Sequence, residues 1–405
     1  MKPRYLQAAL LAFAALLSSQ ATLAADPQRA RDLGIPFEGT PGKLNAITDV
    51  AGVEVGQITL NSGEGKLVQG KGPVRTGVTM VLPRGKATVK AVNGGFFNLN
   101  GNGEMTGQSY LQDFGLVYGP IGISNTNAIG PVYAAITEWS ATTFGNAIWP
   151  VVAETWDGRL NDIEGLHVKP EHALGAIKAA KGGPVREGNV GGGNGMVCFG
   201  FKGGIGTSSR VVEVEGKPYT VGVLVQCNTG QRDTLRIAGT PVGQELAQKW
   251  LGCFQPGVAA TDKTPHCQKS GDGGAASKDL GSIIIVVATD APLLATQLNR
   301  IAKRASMGLA RMGSFAGNGS GDLIVSFSTG EAINDVEQEQ PVTVTQFPND
   351  KIDPLFNATV QATEEAITNA LVAARDMIGV NGYTAYALPH DELTAILKKY
   401  NRLQP

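Results

Sequence analysis

The chain has 405 residues, a charged fraction of 17% and a formal net charge of −1. This near-neutral chain has no cluster of lysine and arginine of the kind that binds nucleic acid, so no nucleic-acid partner is expected. Its length suits one large domain or two of ordinary size. Glycine is unusually frequent, with 54 residues against a usual share of about 7%, and its clustering predicts tight backbone geometry around a site.

The first 24 residues have the pattern of a secretory signal peptide. Lys2 and Arg4 precede an apolar run from Leu6 to Leu17, and small residues follow up to Ala24. The run is too short for a permanent membrane helix. We therefore expect cleavage after residue 24 or 25, export to the periplasm, and no membrane attachment of the mature protein.

Strand-like and helical patterns alternate through both halves of the mature chain. Runs of β-branched residues predict strands, and apolar stripes with a period near 3.6 predict helices. The predicted strands are 53–60, 78–82, 197–201, 219–226, 282–288 and 323–328. The predicted helices are 132–141, 171–180, one that Asp290 caps and that has Pro292 in its first turn, and about 360–378. This alternation predicts a mixed α/β fold with helices covering sheets.

The junction before Ser282 is the first candidate for chemistry. Between Cys253 and Gly281 the chain is almost free of large apolar residues, which predicts an exposed, mobile loop. Ser282 then opens the most apolar β-branched run of the mature chain, which predicts a strand buried on both faces. If the preceding bond breaks, Ser282 has both a hydroxyl and an α-amine with a pKa of about 8. From these residues alone, a serine that simply opens a strand is the alternative.

The other common catalytic motifs are absent from the sequence. It contains no G-x-S-x-G elbow, no H-E-x-x-H zinc motif and no EF-hand loop. The glycine-rich stretch 191–207 lacks the G-K-[ST] ending of a P-loop.

The four cysteines form no C-x-x-C pair, which argues against a structural zinc site. Cys253 and Cys267 flank the polar loop, and in an exported protein a disulfide between them can persist. The sequence leaves open whether they are bridged. Cys198 and Cys227 lie in strand-like runs and are interpreted as core residues.

The stretch around Ser282 resembles the start of the β-chain in the DmpA-like serine peptidases. This family includes the L-aminopeptidase/D-amidase-esterases and the β-peptidyl aminopeptidases of the BapA group. Further matches follow in order along nearly the whole mature chain. The matching stretches are 46–56 (AITDVAGVEVG), 74–78 (VRTGV), 99–107 (LNGNGEMTG), 191–195 (GGGNG), 200–207 (GFKGGIGT), 281–293 (GSIIIVVATDAPL) and 318–322 (NGSGD).

The resemblance implies a precursor that cuts itself between Gly281 and Ser282. The products are an α-chain, residues 25–281, and a β-chain, residues 282–405, which together form one catalytic domain. It also implies an αββα sandwich of two sheets flanked by helices, a homo-oligomer of αβ heterodimers, and no metal or organic cofactor. The implied activity removes β-, D- or L-residues from short peptides, amides and esters that have a free N-terminal amine.

The resemblance also assigns roles to single residues. Ser282 is the nucleophile, and its hydroxyl forms the acyl-enzyme. Ser320 and Asp322 relay protons and orient the nucleophile, Asn228 lies at the oxyanion, and Glu138 holds the substrate's ammonium. Members selective for β-peptides tend to have glutamate in place of Asp322, which favours the broader aminopeptidase branch. Without the family, ordinary turn residues and a solvated helical glutamate are the alternatives.

Two other classes of protein are weighed against this interpretation. A self-cleaving acyltransferase resembling ornithine acetyltransferase uses threonine as the nucleophile, so the serine at position 282 and the signal peptide argue against it. A periplasmic binding protein would stay a single chain, and intact mass would distinguish it.

Overall fold

A computed structural model describes residues 28–254, 267, 281–330, 341 and 343–403. The predicted signal peptide, residues 1–24, lies outside the described residues. So does the predicted mobile loop before Gly281, except for residues 253, 254 and 267.

Strands and helices alternate along the described chain, as the apolar patterns predict. The strands are β1 (Glu54–Ser62), β2 (Val74–Leu82), β3 (Val92–Gly101), β4 (Leu116–Val117), β5 (Ile121–Asn125), β6 (Val151–Thr155), β7 (Val197–Cys198), β8 (Phe201–Lys202), β9 (Gly204–Val214), β10 (Lys217–Asn228), β11 (Cys253–Phe254), β12 (Ser282–Thr289), β13 (Gly321–Ser328), β14 (Met377–Ile378) and β15 (Tyr383–Ala385). The helices are α1 (Gln108–Phe114), α2 (Ile129–Phe144), α3 (Pro170–Ala179), α4 (Val242–Glu245), α5 (Ala295–Arg311), α6 (Asp353–Val372) and α7 (His390–Lys399). None of the helices in these described ranges is long and apolar enough to cross a lipid bilayer.

Three predicted elements differ from the observed ones, and one of them is α6, predicted over about 360–378 and observed over Asp353–Val372. The run 197–201 forms two short strands, β7 and β8, because Phe199 and Gly200 adopt positive φ angles of 49° and 69° and turn the chain back. The helix predicted after Asp290 begins later, at Ala295. Asp290 does not cap it, since its carboxylate accepts a hydrogen bond from the Thr220 N–H at 2.7 Å.

Two large sheets form the centre of the fold. One has four strands in the order β1-β2-β5-β6, and the other has six in the order β4-β3-β13-β12-β10-β9. Strands from distant parts of the sequence are therefore neighbours in the larger sheet.

The alternation of side chains along the strands builds three apolar layers. Helices α2 and α3 pack on the outer face of the four-stranded sheet. A middle layer fills the space between the two sheets, and α5 and α6 cover the outer face of the larger sheet. In β12, Ile283 and Ile285 face the helices, whereas Ile284 and Val286 face the other sheet. This arrangement confirms the predicted αββα sandwich.

Strand directions bring four strand ends together at one edge of the larger sheet. β12 is parallel to β13 and antiparallel to β10, and β13 is antiparallel to β3. The first residues of β12 and β13 therefore lie beside the last residues of β10 and β3. All of the predicted site residues except Glu138 lie at this edge.

Candidate active site

Ser282 is the first residue of β12, and only 5% of its surface is exposed. It has the same parity as Ile284, which directs its side chain toward the four-stranded sheet. Its hydroxyl accepts a hydrogen bond from the Gly321 N–H at 3.1 Å. The preceding Gly281 packs so closely on β10 that an added Cβ would lie 1.8 Å from the Asn228 carbonyl oxygen, so this approach requires glycine.

Ser320 and Asp322 are the two neighbours of Gly321, whose N–H contacts the Ser282 hydroxyl. Both side chains are fully buried. The Ser320 hydroxyl donates to Oδ2 of Asp322 at 2.7 Å. Asn100, near the end of β3, donates to the Ser320 carbonyl at 2.6 Å and fixes this turn from the other side. The segment that contacts the Ser282 hydroxyl is therefore held on both sides.

Asn228 ends β10 and pairs directly with Ser282. Its Oδ1 accepts a hydrogen bond from the Val197 N–H at 2.8 Å. Its Nδ2 donates to the Trp156 carbonyl at 2.9 Å. With both ends of the amide anchored, the orientation of the group is defined, and its N–H donors are on the side of Trp156.

Glu138 is the one predicted site residue that the structure does not bring to Ser282. It lies on α2, whose buried face is formed by Val132, Ala135 and Ile136. Its own side chain is exposed. The four-stranded sheet separates α2 from the sheet that contains Ser282. The expectation for Glu138 is corrected accordingly.

A different carboxylate, Glu154 of β6, lies next to the site and was missed from the sequence. Its Oε1 accepts from the Glu104 N–H at 3.0 Å, and its Oε2 accepts from the Thr126 hydroxyl. A Cβ added at Gly103 would lie 3.2 Å from Glu154 Oε1 and 3.4 Å from the Cα of Gly321. Only one glycine therefore separates this carboxylate from the residue whose N–H contacts Ser282.

Burial raises the pKa of Glu154 above that of an ordinary glutamate, although its hydrogen bonds to Thr126 and Glu104 act in the opposite direction. Two other buried glutamates, Glu187 and Glu365, are paired with arginines. In contrast, Glu154 forms no ion pair with any residue that the structure describes. One sequence feature could have indicated it. Glu154 is an acidic residue inside the apolar run 151–155, and because burying a charge is costly, such a residue is expected to have a functional role.

Both predicted and unpredicted disulfides are present. Cys253 and Cys267 are bridged, which settles the pairing that the sequence left open. Cys198 and Cys227 are buried in the core, as expected, but they are bridged as well. Their interpretation as plain core residues was wrong, because the packing of β7 on β10 brings together two cysteines that are 29 positions apart. This second bridge lies directly beside Asn228.

The described residues contain no group of three His, Cys, Asp or Glu side chains that could hold a metal ion. The arrangement instead offers a buried hydroxyl, an oriented amide and a carboxylate that has no cationic partner among the described residues.

The sequence profile of peptidase family S58 matches residues 45–385. The chain belongs to peptidase family S58. It is 58% identical to the β-peptidyl aminopeptidase BapA of Sphingosinicella microcystinivorans, in an alignment of 381 residues that covers 94% of each chain. It is 46% identical over 391 residues to BapA of Sphingosinicella xenopeptidilytica, which covers 95% of this chain and 94% of that protein.

A solved structure agrees with these matches. The L-aminopeptidase D-Ala-esterase/amidase of Ochrobactrum anthropi, a prototype of the serine aminopeptidases with a variant of the Ntn hydrolase fold, superposes with a TM-score of 0.81 at 42% identity. The match covers 93% of this chain and 99% of that one. The family, the fold and the enzyme class predicted from the motifs, a serine aminopeptidase, are thereby confirmed.

Proposed function

We propose that this chain is an exported precursor that cuts itself at the Gly281–Ser282 bond and then removes N-terminal residues from short peptides, amides and esters. The position of Ser282 carries the proposal. Its buried hydroxyl is held by the Gly321 N–H at 3.1 Å, at the edge where four strands end, and Asn228 is its partner on the neighbouring strand β10. After the cut, the same residue has a free α-amine, so that nucleophile and base belong to one residue.

In the first half of the reaction, the α-amine of Ser282 accepts the hydroxyl proton while Oγ bonds to the substrate's carbonyl carbon. The carbonyl oxygen becomes negatively charged, and Nδ2 of Asn228 donates a hydrogen bond to it. One donor of this kind is worth about 10²–10³ in rate. The proton then passes to the leaving amine as the carbon–nitrogen bond breaks.

In the second half, water attacks the acyl-enzyme and the proton transfers run in reverse. Ser320, whose hydroxyl donates to Asp322, lies on the segment that contacts the Ser282 hydroxyl. We assign this pair the task of relaying protons and keeping the nucleophile oriented.

Glu154 supplies the carboxylate that binds the terminal ammonium of the substrate, so that the bond after the first residue is the one cut. Its carboxylate is buried, lies beside Gly321 and forms no ion pair within the described residues. A substrate ammonium would therefore neutralise its charge by forming an ion pair with it. Glu154 replaces Glu138 in this role. The carboxylate has to be ionised to bind the ammonium, and the pKa raised by burial places that ionisation above the range of an ordinary glutamate.

For the substrate class, we propose peptides and amides that begin with a β-amino acid. Asp322 taken alone favours the broader aminopeptidase branch. Both BapA relatives are β-peptidyl aminopeptidases, and their similarity extends over more than nine-tenths of the chain. Identity over the whole chain describes the substrate pocket better than one carboxylate, because the pocket walls come from many segments.

The proposal includes the organisation of the chain. Residues 1–24 are a signal peptide that directs the protein to the periplasm. Residues 25–281 form the α-chain and residues 282–405 form the β-chain of one catalytic domain, and αβ units assemble into a homo-oligomer. The basic and apolar pattern of the first residues supports export, and the buried Ser282 with the close packing of Gly281 on Asn228 supports the chain boundary.

Intact mass and a rate panel test the proposal. Purified wild-type protein should consist of two chains, the smaller running from Ser282 to Pro405, whereas Ser282→Ala should remain a single inactive chain. β-Homo-, D- and L-aminoacyl p-nitroanilides, each with and without an N-acetyl group, then compare substrates. The β-homo compounds with free amines should react fastest. An active but uncut wild type, or an active Ser282→Ala variant, would refute the proposal.

A further inference from the structure

Lys202 is a fully buried lysine that the proposed reaction does not use. It lies in β8, within the stretch GFKGGIGT. Its ammonium donates to the carbonyls of Gly203 at 2.7 Å, Met196 at 2.9 Å and Gly193 at 3.3 Å. It forms no ion pair within the described residues, and burial lowers its pKa to about 7. The three recorded hydrogen-bond acceptors of this buried ammonium are therefore all backbone carbonyl oxygens.

One of these contacts lies a single peptide unit away from Asn228. The carbonyl of Met196 and the N–H of Val197 belong to the same peptide, and in a trans peptide they point in opposite directions. Lys202 Nζ is bound at the carbonyl end, and Asn228 Oδ1 accepts from the N–H end at 2.8 Å. An ammonium at the oxygen of a peptide polarises it and strengthens its N–H as a donor.

We propose that Lys202 is a positioning residue for the reaction: through the Met196–Val197 peptide it fixes the amide of Asn228 so that Nδ2 faces the oxyanion. This inference rests on the proposed function, since it assigns Asn228 to the oxyanion. Without the ammonium, the peptide is free to tilt, and the Asn228 amide loses the donor that distinguishes its oxygen from its nitrogen.

A second tie joins the same two segments. Cys198 follows Val197, Cys227 precedes Asn228, and the two cysteines are bridged. The disulfide fixes the distance between the two segments. The hydrogen bond from Lys202 to the Met196 carbonyl sets the orientation of the Met196–Val197 peptide. Two independent constraints on one amide are expected where a small misplacement is costly for catalysis.

Arg232 provides a matched control, because it is another buried cation bound to carbonyls of the same region. It donates to the carbonyls of Phe199 at 3.0 Å and Lys249 at 2.7 Å, and to those of Gly200 and Trp250. None of these carbonyls belongs to the Met196–Val197 peptide. Loss of Arg232 therefore reports the general cost of removing a buried cation from this part of the fold.

The test compares Lys202→Met, Lys202→Gln and Arg232→Met on a β-homoaminoacyl p-nitroanilide, with rates expressed per cut chain as measured by intact mass. Lys202→Met should lower kcat by about 10- to 100-fold and change KM by less than about threefold. Lys202→Gln keeps a donor and should recover part of the loss. Arg232→Met should lower Tm but change kcat by less than about threefold. If Lys202→Met does not accumulate, the comparison of Lys202→Gln with wild type decides.

A double-mutant cycle with Asn228→Ala identifies the route of the effect. If Lys202 acts through Asn228, Lys202→Met should cost less than about threefold when Asn228 is already alanine. A wild-type kcat in Lys202→Met, or the same loss with and without Asn228, would overturn the inference. Failure of the proposed function looks different, because then wild-type protein would be inactive or Ser282→Ala would be active.

Discussion

Glu154 is a carboxylate that is 4% exposed and has no cationic partner among the described residues. Removing one partner of a buried charge pair costs about 3–5 kcal/mol, which corresponds to about 150- to 4,000-fold in kcat/KM. Glu154→Gln should lose this factor on free-amine substrates and should still cut itself, since self-cleavage involves no substrate ammonium. The measurement is kcat/KM on a β-homoaminoacyl p-nitroanilide, together with intact mass.

Glu138→Gln is the matched control for that variant. Its side chain is exposed on α2, so kcat/KM should stay within about twofold of wild type, as for most surface substitutions. The reverse result, a large loss in Glu138→Gln and none in Glu154→Gln, would restore the role that the sequence assigned to Glu138.

Asp157 gives a prediction for stability. Burial raises the pKa of this fully buried carboxyl from the ordinary 3.8 to about 6. Between these two pH values the folded protein holds a proton that the unfolded chain has released, so stability falls as the pH rises through about 6. The loss amounts to about 3 kcal/mol at neutral pH. Asp157→Asn cannot ionise and should not show it.

Urea unfolding at pH 4 and pH 7 measures this effect, in the Ser282→Ala background so that the chain stays uncut. The free energy of unfolding of Asp157→Asn relative to its parent should rise by about 2–3 kcal/mol between these pH values. A difference that does not depend on pH would contradict the assignment.

At the scale of elements, a helix was predicted with more accurate bounds when one of its faces is apolar and the other polar. The stripe of Leu298, Ile301, Ala305 and Leu309 is buried in α5, and this helix was recognised from its period. In contrast, α6 is buried on nearly all sides, so periodicity did not mark its ends. It was predicted over about 360–378 and is observed over Asp353–Val372.

The junction of Gly281 with β12 is where an element boundary has a chemical consequence. A methyl group at residue 281 would lie 1.8 Å from the Asn228 carbonyl oxygen and 2.9 Å from the Cα of Thr229, so the backbone would have to move. Self-cleavage requires the Ser282 hydroxyl to reach the Gly281 carbonyl, and a shift of about 1 Å can cost 10²-fold. Gly281→Ala should therefore slow self-cleavage by about 10- to 100-fold.

A time course of intact mass after cell-free synthesis measures the rate of the cut. Gly182→Ala is the matched control, because nothing lies within 4 Å of the added methyl and its φ is not positive. It should cut at the wild-type rate. Equal rates for the two variants would mean that the packing of Gly281 on β10 has no part in the cut.

At the scale of the whole molecule, the sequence predicted the layers but not the order of strands in the sheets. Pairing of β3 with β13 joins residues more than 200 positions apart, and no local pattern encodes such a contact. The residues that depended on this order were therefore missed. Glu154 approaches Ser282 only through the packing of β6 against the segment after β3, and Cys198 reaches Cys227 only through the packing of β7 on β10. The candidates Ser282, Ser320, Asp322 and Asn228 could be named from the sequence because each lies in a local stretch that resembles the family.

If the chain is cut between Gly281 and Ser282 as proposed, the strand order predicts how the two products behave. β12 and β13 follow the cut, yet they lie between β3 and β10, which precede it. Helices α5 and α6 follow the cut as well, and they pack on β3, β9 and β10. The buried ion pair of Arg210 with Glu365 also spans the two chains. Separating them would break three strand ladders, β3 with β13, β10 with β12 and β11 with β15, and would open two apolar layers, which amounts to unfolding.

We therefore expect the cut protein to elute from a gel-filtration column with both chains together, and to separate only in denaturant. Salt at 1 M should not dissociate them, because it screens interactions between exposed charges but does not weaken the contacts between buried apolar side chains. Reducing agent should not dissociate them either, since all four cysteines precede residue 282 and no disulfide joins the chains. Thermal unfolding, monitored by far-UV circular dichroism for both chains and by tryptophan fluorescence for the α-chain, which contains all four tryptophans, should show one common transition. Release of the β-chain at high salt, or two separate transitions, would mean that β12 and β13 are not the centre of a shared sheet.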